Sequence, residues 1–138
     1  MLKMRYDYKL ENVADSWVRQ CRFAHPNPEV HKAFRGIGQN FAVTGGKKLT
    51  LSEMVEMWYK EYKDFNYYEN SCARGNICGH YTKMVWGKLN MLGCAIRRCD
   101  GAQPTWPKPV YLLVCQYEPQ GNFVEEQPYE TGESCGKC

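Results

Sequence analysis

The chain has 138 residues, a formal net charge of +3 and an aromatic content of 14%. A chain of this length supports one domain with a real core, burying roughly two-thirds of its unfolded surface, and is too short for two. Its Lys and Arg residues form no run or stripe, and no apolar stretch approaches the ~20 residues of a bilayer-crossing helix, so nucleic-acid binding and a transmembrane helix are excluded.

Leu10, Val13, Ala14, Trp17, Val18 and Cys21 recur at helical spacing, which predicts an amphipathic helix from Leu10 to near Ala24. Pro26 and Pro28 stop it, and His25 falls on the inner face at its C-terminal end. Gly36, Gly38, Gly45 and Gly46 mark a loop-rich connection, within which Gln39 to Ala42 reads as an additional strand. Thr50 with Glu53 makes a capping box and starts a second helix, whose inner face is Leu51, Met54, Val55, Trp58, Tyr62 and Phe65. Counting about 100° per residue places Glu61 inside that apolar stripe. A carboxylate there either has a buried partner, marking a polar site or cavity edge, or sits at the stripe's boundary and reaches solvent.

Asn66 to Gly79 reads as a second loop, and Gly79 to Trp86 as a short third helix. Met91 to Cys99 and Val110 to Tyr117 read as strands, separated by the Asp100-Gly101 turn and a Pro-containing loop. Helices first and strands last predict an α+β sandwich. Residues 125–138, rich in Glu, Pro, Gly and Tyr, read as an extended tail or the start of a hinge.

Eight cysteines in so short a chain imply a disulfide framework and an oxidising compartment, although they permit about a hundred pairings. Zinc modules need two short Cys/His pairs in register, and only Cys135-Gly136-Lys137-Cys138 has that form. No charged start followed by an apolar run is visible before Met1-Leu2-Lys3-Met4, so the chain shows no signal peptide.

Cys78-Gly79-His80-Tyr81-Thr82-Lys83-Met84-Val85-Trp86, then Gly93-Cys94-Ala95, then Tyr111 to Phe123 through Val114-Cys115-Gln116-Tyr117, resemble the ordered signature motifs of the CAP superfamily. The similarity covers nearly the whole chain and is closest in look to venom-allergen-like proteins. It implies a three-layer α-β-α sandwich with a central antiparallel sheet, here a CAP domain over residues 1–124 that lacks the usual first helix. It implies disulfides Cys21–Cys99, Cys94–Cys115 and Cys72–Cys78, and Cys135 with Cys138 as the start of a hinge. It also implies secretion to the extracellular space.

In the family, two His and two acidic residues meet in a central cleft; carried over, these positions are His25, Glu61, His80 and Gln39, which stands where Glu is usual. Two imidazoles and one carboxylate can hold a divalent cation such as zinc weakly, and the neutral Gln39 removes one charge and one general base; no cofactor is required. The alternative is that both histidines are structural. No Ser lies in a nucleophile-elbow context and the cysteines are better explained as paired, so the expectation is no enzyme, with a metal-dependent hydrolase the last alternative. Tyr59, Tyr62, Phe65, Tyr67 and Tyr68 precede the Gly-His-Tyr-Thr motif where sterol-binding members carry an aromatic-rich loop. The function expected is binding of a sterol, a fatty acid or another small hydrophobic ligand, the alternative being an extracellular protein-interaction module. The bland reading leaves Tyr62 and Phe65 in the core and Tyr67 and Tyr68 covering a disulfide.

Overall fold

A computed structural model of the chain describes residues 1–134 and 136. The elements in order are β1 (Arg5–Tyr6), α1 (Tyr8–Val18), β2 (Gly38–Gly45), α2 (Leu51–Tyr59), β3 (Phe65–Asn66), β4 (Ser71–Cys72), α3 (Gly79–Met84), β5 (Met91–Arg98) and β6 (Val110–Glu118), with short 3-10 turns at Lys32–Phe34 and Lys60–Asp64. The main sheet has the order β1-β5-β6-β2. Its β5–β6 and β2–β6 ladders are antiparallel, whereas the two-residue β1 runs parallel to β5.

Strand alternation sends successive side chains to opposite faces, and each face has its own apolar layer. Leu112 and Val114 of β6 pack with Ala14, Trp17 and Val18 of α1 on one side. Leu113, Cys115 and Tyr117 pack with Met54 and Trp58 of α2 and with Trp86 on the other. The fold is therefore the α-β-α sandwich the motifs imply. Gly93 explains how closely α1 lies on β5: a Cβ there would come within 2.7 Å of the Asp7 carbonyl oxygen and still nearer the Leu10–Glu11 peptide.

Among the described residues there are three disulfides: Cys21–Cys99 joins the end of α1 to the end of β5, Cys94–Cys115 links β5 to β6, and Cys72–Cys78 closes the loop before α3. The expected Cys135–Cys138 pair lies outside the described residues.

Two element boundaries differ from the sequence expectation. The first helix ends at Val18, because Cys21 takes a left-handed conformation with φ 49° and turns the chain early. The second ends at Tyr59 and tightens into the 3-10 turn, so the projection at about 100° per residue fails beyond Lys60. Tyr62, assigned to its inner face, is consequently 45% exposed, and Leu51 in the first turn is 52% exposed.

Candidate functional site

Glu61 needs a partner, and it has several. The 3-10 turn after α2 aims its carboxylate at the start of α3, where Oε2 accepts the backbone N–H groups of His80 and Tyr81, each at 3.0 Å. Its Oε1 lies 2.6 Å from His80 Nδ1. A carboxylate only accepts, so Nδ1 carries the proton and the imidazole is held in one orientation. The His80 ring lies parallel to that of Trp58, with 6.1 Å between centroids. From β2, the buried Asn40 donates from Nδ2 to the His80 carbonyl oxygen at 3.0 Å. Helix, turn and strand thus converge on His80.

His25 belongs to a different pair. The early turn after α1 leaves its ring exposed rather than facing inward, packed edge-on against Phe41 with 4.8 Å between centroids. Its Nδ1 donates to Gln39 Oε1 at 2.9 Å. Gln39 and Asn40 are neighbours on β2, and the pleat sends Gln39 to the Phe41 and Val43 face and Asn40 to the Ala42 face. One strand therefore separates the two histidine pairs. Among the described residues no three His, Cys, Asp or Glu side chains are placed to hold a metal ion. Of the family's cleft positions, Gln39 is neutral and Glu61 already accepts three hydrogen bonds at α3, which leaves the imidazoles of His25 and His80 as the groups free to bind a cation.

The aromatic series divides as well. Tyr59, Tyr62 and Phe65 gather around the buried Tyr81, with ring centroids 6.0, 6.3 and 5.8 Å from it. Tyr67 and Tyr68 contact each other instead, and Tyr67 stacks on Tyr129 at 5.0 Å while its hydroxyl donates to the Tyr129 carbonyl oxygen at 2.9 Å. Phe65 also lines a cleft of about 260 Å³ with Trp86, Phe123 and the Cys72–Cys78 bridge.

A second cavity, of about 280 Å³, opens at the start of β2, with His25, Gln39, Lys83, Gln116 and Gln120 among its walls. Lys83 is only 7% exposed, and burial pushes its ammonium pKa down to about 8. It crosses β2 at Gly38, where a Cβ would stand 2.9 Å from Nζ, and it donates to the Gln120 carbonyl oxygen at 2.7 Å. Lys83 and Gln116 are not among the expected site residues. The available signal was Gln116 as a polar residue in register with Leu112 and Val114. Lys83, inside the motif helix, gave none.

Residues 1–117 match the sequence model of the cysteine-rich secretory protein (CAP) family. The chain is 35% identical to bovine (Bos taurus) peptidase inhibitor 16 over 138 residues, which is 100% of this chain and 29% of that protein. It is 38% identical to human (Homo sapiens) cysteine-rich secretory protein LCCL domain-containing 1 over 146 residues, 98% of this chain and 28% of that one. It thus spans less than a third of the length of either relative. The solved structure of Schistosoma mansoni venom allergen-like protein 4 superposes with a TM-score of 0.75 at 28% identity, covering 96% of this chain and 76% of that one. With the sandwich, its disulfides and the motif helix braced by Glu61 already described, these matches establish that the chain belongs to the CAP family.

Proposed function

We propose that this CAP domain is a secreted module that binds a sterol or another small hydrophobic ligand and does not turn it over. The observation that carries this reading is the cleft of about 260 Å³ where Phe65, Trp86 and Phe123 meet beside the Cys72–Cys78 bridge. Rigid rings against a flat hydrocarbon bury apolar area at about 25 cal/mol per Å², so even partial enclosure supports micromolar binding. The exposed Tyr59 and Tyr62 share with Phe65 the contact to Tyr81 and so continue the aromatic surface. Absence of turnover is supported by Glu61, whose oxygens already accept from His80 and Tyr81 and are spent on holding α3. Secretion is supported by the disulfides and by the family's membership among cysteine-rich secretory proteins.

Labelled cholesterol should bind saturably to the oxidised chain and bind at least tenfold more weakly to a Phe65→Ser, Phe123→Ser variant. Equal binding by the variant would remove the cleft assignment, and no saturable binding by the wild type would remove the ligand class.

A second reading, a protein-interaction module, is favoured by Tyr68 and Ile77, which are 90% and 67% exposed in and beside the loop pinned by Cys72–Cys78. The name of the peptidase inhibitor 16 relative fits such a role. Capture of an extracellular protein that is lost in a Tyr68→Ser, Ile77→Ser variant would favour it over the lipid reading.

A further inference from the structure

We infer that the cavity at the start of β2 is a binding site for a small carboxylate that carries an N–H or O–H donor beside its acid group. The argument is one of unmet valences. Gln116 is fully buried, lines the cavity, and has neither amide atom hydrogen-bonded. Gln39 pairs with it across the β2–β6 ladder and turns a buried, unpartnered Nε2 to the same place while its Oε1 holds His25. An orphaned buried amide group costs about 1–3 kcal/mol, so several together mark a place built for a partner.

Charge selects the partner. Lys83 brings an ammonium to the cavity wall, and its hydrogen bonds go to the neutral carbonyl oxygens of Gln120 and Gly121. Among the described residues no Asp or Glu lines the cavity. A buried cation whose hydrogen-bond partners are neutral favours an anion, and a carboxylate offers two oxygens to Lys83 Nζ and the two amide nitrogens. Gln116 Oε1 remains an acceptor and asks for a donor close to that carboxylate. An N-acyl amino acid has this pattern, as chloride or sulfate does not. The volume of about 280 Å³ is ample where about 15 Å³ suffices for one water. Phe34 and Ile37 supply apolar walls for the rest of the molecule. The cavity shares no lining residue with the Phe65 cleft, so neither reading depends on the other.

The test is an NMR titration of the oxidised chain with N-acetylglycine, following the side-chain amides of Gln39 and Gln116, with N-acetylglycinamide as the uncharged control. Saturable shifts of both amides are expected with the acid, and affinity for the control at least tenfold lower, about 1.4 kcal/mol. Lys83→Met should abolish the response. Gln39→Leu, nearer the rim, should weaken it tenfold even where the Lys83 variant folds poorly. Unshifted amides, an equal response to acid and control, or a full response in a folded Lys83→Met chain would each overturn the assignment, leaving the cavity to ordinary water.

Discussion

At the scale of single residues, Glu61 and Lys83 show how a charged group out of place acquires its role. Glu61 accepts from two backbone N–H groups and one imidazole. Glu61→Gln keeps one acceptor oxygen but sets an NH₂ against donors, so it should destabilise the fold by about 1–3 kcal/mol in urea denaturation. An unchanged midpoint would show that solvent carries that contact instead. Lys83 makes a prediction in pH. Burial depresses its pKa to about 8 from the ordinary 10.5 of a lysine, so between those values the unfolded chain binds more protons and stability rises with pH. Tyr81 and Tyr117, whose ionisation burial resists, oppose this only above about pH 10, where unfolded phenols begin to charge. Wild type should therefore gain on the order of 1 kcal/mol over Lys83→Met between about pH 7 and 9.5. Parallel stability curves for the two proteins would mean that Lys83 titrates as a solvated group.

At the scale of elements, the sequence was informative where one periodicity or one cap governed. The Thr50–Glu53 capping box starts α2 as its spacing predicts, and the Val- and Leu-rich runs become β5 and β6. It was silent where two residues decided the geometry. The left-handed turn at Cys21 moves His25 outward, and the change from α-helix to 3-10 turn at Lys60 rotates the aromatic residues that follow. The short β1 and the β3–β4 hairpin escape any period because two residues carry none. The candidate site was legible in its identities more than in its grouping: Glu61 and His80 pair, while the pleat of β2 assigns Gln39 and Asn40 to opposite layers. The Gly93-Cys94-Ala95 motif also acquires a physical reason, since Gly93 lies under the first turn of α1. Gly93→Ala should cost about 1–3 kcal/mol or more through overpacking, read as a lowered urea midpoint. Wild-type stability in that variant would mean that α1 rides further from the sheet than described.

At the scale of the whole molecule, two helical layers pack on a sheet with the two-residue β1 at one edge and β2 at the other, and covalent bridges hold the assembly. The Cys21–Cys99 bridge has a sequence separation of 78, against 21 and 6 for the other two. Loop-closure entropy makes it the largest contributor, roughly 4 kcal/mol in the chain-entropy model. Replacing both cysteines by serine should lower stability by about that amount, and by more than the same change at Cys72 and Cys78. The reverse ranking would place the main constraint in the loop before α3. Such a scaffold holds the Phe65 cleft formed, as the proposed binding by a rigid surface requires.

The most direct test of binding at that cleft follows the Phe65 and Trp86 side-chain NMR signals as a soluble sterol is titrated into the oxidised protein. Saturable shifts at both residues, with His25 at the opposite face unchanged, are the predicted result. Shifts confined to the far side of the sheet, or none at all, would contradict it.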